Sequence, residues 1–373
     1  MIVRIIIVMM PLFLSCAPTG YGYIESDHIV TDYVSVKDFP ESLKIDIETG
    51  VRPFSVEGDS YAAILERAIH IIDFRTKEKI QISEPIALKW GRSICLSERY
   101  VAWIAEKNIN VYDRRSQQIR TLVRESAQPT RLALDKNRIV WSETWKEEGL
   151  YRNKWSINNT DIYAYDIESG REYAISVASG MQTNPSIHGD LVVWQDNRES
   201  PHKGTPKEGC GNCPENRFDI FLFDFKTLES RTIIRNRRLK SHPVVNAGRI
   251  VWEEYQERRE TDIYGPQADL FIIDILSGKI SRLTKTPDPE TRPILIGNTL
   301  LWHVRTASDV IHLGSDGIEI RPATGIYVME FASGKITRLS EFKAPRALFD
   351  GQRAIIIEWG FSASGRIYTL ELD

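Results

Sequence analysis

The sequence predicts an all-β fold, a seven-bladed β-propeller of four-stranded antiparallel blades, from two recurring patterns. The first pattern is a strand that ends in an acid, then a small polar turn and another strand, as in "DIYAYDIESGREYAIS". Seven copies occur about 40 to 58 residues apart, and a period of this length is typical of repeat architectures. Their acids are Asp73, Asp113, Asp166, Asp224, Asp274, Glu330 and Glu371.

The second pattern precedes each acid. "PSIHGDLVVW", "PVVNAGRIVW" and "PILIGNTLLW" each end in a tryptophan, and looser versions lead to two more. Together the patterns give four short strands per unit without any helical periodicity. Four-stranded sheets repeated around an axis form a propeller. We expect the tryptophans to pack between blades and the acids to accept backbone N–H groups of the next turn. The tryptophans are Trp103, Trp141, Trp194, Trp252 and Trp302.

Closure of the ring is expected to use both ends of the chain. The last copy stops at Asp373 without an outer strand, while the segment 24–49 contains two strand-like stretches, "HIVTDYVSV" and "LKIDIET". One of them is predicted to complete the last blade, so that no sheet edge stays open there. The predicted domains are a signal segment at 1–16, a tether at 17–27 and one propeller at 28–373.

The N-terminus predicts export. An apolar run from Ile5 to Leu14 is too short to span a bilayer but fits a secretory signal. The ending "FLSC" resembles the bacterial lipobox, which predicts lipidation of Cys16; the alternative is ordinary cleavage near Cys16. The expected location is the cell envelope, at the outer membrane or cell surface, or otherwise the periplasm or outside. The net charge of −3 over 373 residues gives no case for nucleic acid as a partner.

The repeats resemble a known family. "HGDLVVWQDNR", "FDIFLFDFKTLES" and "DIYAYDIESGRE" are similar to the TolB-type (PD40-like) propeller repeat of bacterial surface and periplasmic proteins. The similarity covers about 51–373. It implies the propeller fold and an envelope setting. The family's periplasmic member acts with partner proteins and carries an extra α/β domain, which is not visible in this sequence.

Loop lengths predict where the working surface lies. In a propeller, the loops between second and third strands open on the same face as the connections between blades. These loops are minimal in the first two blades and long in the next four, at 142–160, 195–218, 253–268 and 303–324. Loops of this length are usually functional or disordered. We call this surface the long-loop face of blades 3–6.

Cations and aromatic residues gather on this face. They suit an anionic glycan or an acidic envelope protein, because guanidinium groups pair well with carboxylate and phosphate. The alternative is a solvated rim whose cations pair with Glu199, Glu208 and Glu215. The predicted binding residues are Arg198, Lys203, Lys207, Arg217, Arg235, Arg237, Arg238, Lys240, Trp145, Trp155, Tyr255 and Tyr264.

The loop of the fourth blade contains a Cys-x-x-Cys pair, Cys210 and Cys213. In an exported protein this predicts a local disulfide. The alternatives are half of a zinc site, with His202 close in sequence, or a redox dithiol. Neither has its usual context here, so no cofactor is predicted.

Catalytic signatures are weak. There is no Gly-x-Ser-x-Gly elbow and no phosphate-binding loop. The sequence therefore favours a non-catalytic binding or assembly module. The alternative function is a metal-dependent lyase or hydrolase acting on anionic saccharides, with His188, His242 and His303 at the pore. Convergence of these three histidines is the observation that would support it.

Overall fold

The structure is a computed structural model that describes part of the chain. The described residues are 24–25, 32–35, 44–47, 52–85, 94–124, 127–146, 155–200, 217–236, 238–256, 267–286, 288–306, 310–313, 317–320, 323–340, 346–349, 353–359 and 365–371. They form an all-β propeller. Within them, no helix has the length and hydropathy needed to cross a membrane.

Three strands precede the blades: β1 (Ile24–Glu25), β2 (Asp32–Ser35) and β3 (Lys44–Ile47). Blade 1 follows with β4 (Arg52–Glu57), β5 (Ser60–Leu65), β6 (Ala68–Asp73) and β7 (Lys79–Gln81). Blade 2 contains β8 (Ile94–Leu96), β9 (Tyr100–Ala105), β10 (Asn108–Asp113) and β11 (Gln118–Leu122). Blade 3 contains β12 (Ala127–Asp135), β13 (Arg138–Lys146), β14 (Trp155–Asp166) and β15 (Arg171–Ser176).

Blade 4 contains β16 (Gln182–His188), β17 (Leu191–Asp196), β18 (Asp219–Asp224) and β19 (Glu229–Ile234). Blade 5 contains β20 (Lys240–Asn246), β21 (Arg249–Tyr255), β22 (Ala268–Asp274) and β23 (Ile280–Arg282). Blade 6 begins with β24 (Glu290–Ile296) and β25 (Thr299–Thr306), carries the hairpin β26 (Val310–Leu313) and β27 (Gly317–Ile320), and ends with β28 (Ala323–Glu330) and β29 (Ile336–Ser340). The last strands are β30 (Arg346–Phe349), β31 (Arg353–Trp359) and β32 (Gly365–Glu371).

The prediction of seven blades is wrong, because the propeller has six blades. Each of six blades consists of four antiparallel strands, which follow one another in the chain except in blade 6, where the β26–β27 hairpin intervenes. The seventh copy of the repeat supplies only β30–β32, because no outer strand follows β32 in the described part of the chain. Its fourth strand is β3, which pairs antiparallel with β32. The ring therefore comprises six blades and a further sheet of β3 and β30–β32, which we call the end sheet. β30 of this sheet contacts both β24 and β4, so the end sheet lies between blades 6 and 1.

The first two strands lie outside the ring of blades. β1, within the segment predicted as a tether, pairs in parallel with β23 of blade 5. β2 pairs in parallel with β29 of blade 6. The chain thus follows the outer edge of two blades before β3 enters the end sheet.

The core lies between neighbouring blades, as the apolar strands predict. The indole rings of Trp141, Trp194 and Trp252 are fully buried. Each stacks on an aromatic ring of the next strand, with centroids 5.7–6.0 Å apart for the three pairs. Fully burying such side chains contributes roughly 1.5–3 kcal/mol each. The tryptophans therefore join the blades and are not available as a ligand platform.

The five recurring aspartates accept backbone N–H groups in the turns between third and fourth strands, as expected. Asp73 Oδ1 accepts the backbone N–H groups of Arg75 and Thr76 at 2.8 and 2.7 Å. Asp166 Oδ1 accepts the N–H of Ser169 at 2.9 Å. These hydrogen bonds favour the ionised carboxylate, and the pKa of Asp73 lies below its usual value for that reason. These turns lie on the face opposite the long loops.

Removing one such acid tests this role. Asp166→Ala removes the acceptor for Ser169 and the partner of Arg138, 3.4 Å away. We expect a loss of about 1–2 kcal/mol in the free energy of unfolding, measured by urea denaturation. The control is Glu168→Ala in the same turn, whose side chain is 56% exposed. A loss as large in the control would contradict the capping role.

Candidate functional site

A Trp-x-acid unit recurs at the end of the second strand in blades 3, 4 and 5. Trp141 Nε1 donates to Glu143 Oε2 at 2.9 Å, and Trp194 Nε1 donates to Asp196 Oδ2 at 3.0 Å. Trp252 Nε1 lies 3.3 Å from Glu254 Oε2. The strand period of two places each acid on the same side as its tryptophan. The acid is thus held where the core meets the long-loop face.

Each of these acids has a guanidinium partner. Arg124, in the connection to blade 3, lies 2.6 Å from Glu143 and 5.2 Å from the centre of the Trp141 ring. Arg198 lies 2.6 Å from Asp196 and 4.5 Å from the Phe221 ring centre. Arg238 lies 3.3 Å from Glu254. A fully buried carboxylate needs such a partner, because leaving it unpaired costs several kcal/mol.

A second acid faces each of the first across the sheet. In register, Glu143 pairs with Asp161, Asp196 with Asp219, and Glu254 with Asp269. These third-strand acids are also buried. Blades 3–5 therefore each carry two carboxylates at the long-loop end. We call the six acids and their cations the ionic framework.

Lys240, at the start of β20 in blade 5, is the framework cation that pairs with Asp219 of blade 4. Its side chain is 0% exposed, and Nζ lies 3.7 Å from Asp219 Oδ1. Nζ also donates to the carbonyls of Arg238 and Phe218, at 3.0 and 3.3 Å. Burial lowers the pKa of Lys240 to about 8 and raises the pKa of Asp219. Removal from water thus outweighs the attraction between the two charges.

Glu290 adds a further buried carboxyl beside the framework. It begins β24, is fully buried, and accepts a short hydrogen bond from Thr286 Oγ1. Burial is the main cause that raises the pKa of Glu290 to about 8, and the nearby charge of Asp269 adds to it. Asp269 itself is paired with Arg282 at 2.8 Å. Glu290 is therefore protonated at neutral pH.

The predicted binding cations are mostly held within the framework. Arg198 and Arg238 pair with Asp196 and Glu254, and Arg217 donates to the Glu199 carbonyl at 2.9 Å. Arg235 Nε lies 3.6 Å from Asp219. Lys240 was expected on the surface, and this is corrected: it is buried because its charge balances Asp219. Arg235 and Arg238 keep 52% and 46% of their side chains exposed.

The remaining predicted binding residues divide into two groups. Tyr255 donates its hydroxyl to Glu253 at 2.7 Å. The backbones of Trp145 and Trp155 belong to β13 and β14, so much of the predicted 142–160 loop is an extended hairpin; their side chains are not among the described ones. The other residues lie outside the described part of the chain: Lys203, Lys207, Arg237, Tyr264, Cys16, Cys210 and Cys213.

The three histidines of the metal hypothesis are separated by the topology. His188 ends β16 at the turn to β17, whereas His242 lies near the start of β20, at the other end of the neighbouring strand. His303 is buried directly after Trp302. In the ranges that the structure describes, no three His, Cys, Asp or Glu side chains are grouped as metal ligands. The metal-dependent alternative gains no support from this part of the chain.

Sequence reasoning missed the acids of the framework. The sequence predicts the tryptophans as core residues, but it does not predict burial of the acid two residues after each of Trp141, Trp194 and Trp252. This Trp-x-acid recurrence, in three adjacent blades, was the available signal. It would have placed buried carboxylates beneath the predicted cations.

Comparisons with known proteins show the fold. No protein-family model matches the chain, and no curated protein is detectably similar to it. An oligogalacturonate lyase solved in complex with manganese is 12% identical, with a TM-score of 0.56 over 88% of this chain and 95% of that one. An acylaminoacyl peptidase from Pyrococcus horikoshii is 10% identical, with a TM-score of 0.56 over 87% of this chain and 52% of that one.

The structure of TolB from Acinetobacter baumannii is 11% identical, with a TM-score of 0.42 over 93% of this chain and 86% of that one. That score is too low to support an argument. The other two similarities show a shared fold, although this chain spans only about half the length of the peptidase. At such identities, proteins with one fold carry unrelated activities. The chain is a β-propeller, a fold that it shares with a lyase and a peptidase.

Proposed function

We propose that the protein is an exported, lipid-anchored binding module that uses the long-loop face of blades 3–6 to hold an envelope protein or an anionic envelope polymer. The observation that carries this proposal is the ionic framework of blades 3–5. Buried acids fix the positions of Arg235 and Arg238, while about half of each side chain stays exposed. A guanidinium that is held in place loses little side-chain entropy when it binds a partner.

The framework also favours binding over catalysis. Catalytic acids and bases need access to a reacting group. Most carboxylates on this face are fully buried and committed to tryptophan N–H groups or guanidinium groups. They serve to orient cations, which remain the exposed charges. An anionic partner surface fits these cations by charge.

The N-terminal route supports the anchoring part of the proposal. β1 begins eight residues after Cys16. Eight extended residues reach at most about 29 Å. A lipid on Cys16 would therefore keep blade 5, which pairs with β1, close to the membrane surface.

In-cell crosslinking followed by affinity capture tests the proposed interface. The test variant is Arg235→Gln with Arg238→Gln, which removes two charges and retains hydrogen-bonding side chains. Lys240 stays unchanged because it is buried. We expect capture of an envelope partner by the wild type and a several-fold smaller yield with the variant.

The matched control is Arg75→Gln with Arg115→Gln. Both side chains are more than 70% exposed, in turns on the opposite face. This control makes the same change in net charge and should capture as well as the wild type. Equal loss in both variants, or capture that neither variant changes, would argue against the long-loop face. Thermal unfolding of each variant verifies that the fold is retained.

A further inference from the structure

The innermost strands of blades 4, 5 and 6 share an unusual backbone position. Asn184, His242 and Arg292 have positive φ values of 52°, 47° and 56°. Each directly precedes a proline, and each sits where the register shifts against the second strand. Non-glycine residues rarely adopt this left-handed conformation, because it brings their Cβ close to the backbone. The fold thus holds three equivalent side chains in a conformation that they would not choose alone.

Hydrogen bonds link the three positions to one another. Asn184 Nδ2 and the backbone N–H of His242 both donate to Gln195 Oε1, at 2.9 and 3.1 Å. The backbone N–H of Arg292 donates to Glu253 Oε1 at 2.6 Å, and His242 Nδ1 lies 3.1 Å from the same oxygen. The innermost strands β16, β20 and β24 also contact one another in succession. Asn184, His242 and Arg292 are therefore neighbours around the central channel, near its long-loop end.

One cation of this group, Arg292, has no described partner for its side-chain charge. Glu253 is fully buried, and the hydrogen bonds that it accepts from His242, Arg292 N–H and Tyr255 outweigh burial and hold the pKa of Glu253 below its usual range. It is therefore ionised. Its Oε1 lies 3.1 Å from Nδ1 of His242, whose side chain is 44% exposed. Arg292 is exposed, and its guanidinium makes no hydrogen bond or ion pair with another described residue. The positive charge of Arg292 is therefore available to a ligand.

We propose that Asn184, His242 and Arg292 bind a single carboxylate group at the mouth of the central channel. The planar guanidinium of Arg292 can donate two parallel hydrogen bonds to a carboxylate. With Nδ1 directed to Glu253, Nε2 is the nitrogen of His242 left to face a ligand. A single unpaired guanidinium suits a singly charged carboxylate better than a phosphate dianion, whose second charge would face the carboxylate of Glu253.

This site lies beyond the proposed function, because it uses no residue of the ionic framework. The carboxylate can belong to a free small acid or to the C-terminus of a peptide. The two sources present the same chemistry to Arg292. The experiment therefore uses both.

Calorimetric titration of the purified chain tests the site. The probes are acetate, succinate, a short peptide with a free C-terminus, the same peptide amidated, and inorganic phosphate. The variants are His242→Asn and Arg292→Asn, because asparagine occupies the equivalent position in blade 4 and tolerates positive φ. Arg75→Asn, on the opposite face, is the control.

We expect the carboxylate probes to bind the wild type and the control equally. Arg292→Asn should weaken binding by about ten- to a hundredfold, the effect of losing a charge-assisted hydrogen bond. Preference for the free peptide over succinate identifies a chain terminus as the ligand, and the reverse identifies a small acid. Loss of peptide binding on amidation supports carboxylate recognition.

Three results would overturn the proposal: no carboxylate probe binds, phosphate binds as tightly as the carboxylates, or both asparagine variants bind like the wild type. Thermal unfolding of the variants distinguishes lost binding from lost folding. Failure here leaves partner capture through Arg235 and Arg238 unaffected, so the two proposals are tested separately.

Discussion

Asp196→Ala is expected to lower the free energy of unfolding by about 3–5 kcal/mol, because it leaves a partly buried cation and a buried indole N–H without their acceptor. Asp196 accepts from Trp194 Nε1 at 3.0 Å and from the Arg198 backbone N–H at 2.9 Å. It is also the ionic partner of Arg198, which packs on Phe221 between strands. No other carboxylate pairs with Arg198 in the described residues. Urea denaturation monitored by tryptophan fluorescence measures the loss.

Asp190→Ala is the matched control for this prediction. Asp190 lies in the same blade and also pairs with an arginine, Arg138, at 2.7 Å. Its side chain is 32% exposed, so water can replace the lost partner. We expect a loss of about 1 kcal/mol or less. Similar losses in the free energy of unfolding for Asp190→Ala and Asp196→Ala would show that burial does not determine how much a framework ion pair contributes to stability.

Glu290→Gln is expected to stabilise the protein above pH 8 and to change the pH dependence of its stability. Burial raises the pKa of Glu290 to about 8, above its value in the unfolded chain. The folded state therefore holds a proton that the unfolded state has lost between about pH 4.5 and pH 8. Stability falls as pH rises through this window. One pKa unit corresponds to about 1.4 kcal/mol, so ionising Glu290 costs on the order of 3–5 kcal/mol.

Denaturation at a series of pH values from 5 to 9 tests this prediction. Glutamine keeps the size of the side chain and its acceptor for Thr286, but it cannot ionise. The variant should lose most of the wild type's decline between pH 5 and 8. Lys240 acts in a different window: its lowered pKa makes stability rise with pH between about 8 and 10.5. An unchanged slope between pH 5 and 8 in Glu290→Gln would contradict a protonated Glu290.

Local patterns allowed most of the fold to be predicted. Strands, turns and the buried tryptophans depend on neighbours in sequence. Asp73 and Asp166, for example, each predict the turn that follows because their carboxylates accept its backbone N–H groups. The number of blades could not be predicted from such local patterns. The last repeat has the pattern of a blade, but its fourth strand, β3, comes from more than 300 residues earlier in the chain. Counting repeats cannot show where a strand is supplied from.

The sequence indicated which face of the propeller carries the candidate site, but not which of its cations are buried. Loop lengths and cations pointed to the long-loop face, yet the exposure of each cation depends on its partner. Lys240 lies 22 positions after Phe218, to whose carbonyl it donates. Its buried Nζ pairs with Asp219, which belongs to another strand. Arg292 and His242 are linked through Glu253, whose Oε1 accepts the backbone N–H of Arg292 and lies 3.1 Å from Nδ1 of His242. Such pairings arise from the packing of blades, which no single stretch of sequence encodes.

The outer path of β1 and β2 divides the circumference of the ring into two unequal arcs. Blades 5 and 6 have their outermost hydrogen-bonding groups satisfied by these strands. In the described residues, β7, β11, β15 and β19 of blades 1–4 have no strand on their outer side. On this open arc, the apolar side chains of Ile80 and Ile119 are 43% and 50% exposed. An unpaired edge is a template for adding another strand. Among the described strands, β23 and β29 are therefore covered against strand addition, whereas the outer edges of blades 1–4 offer such a template.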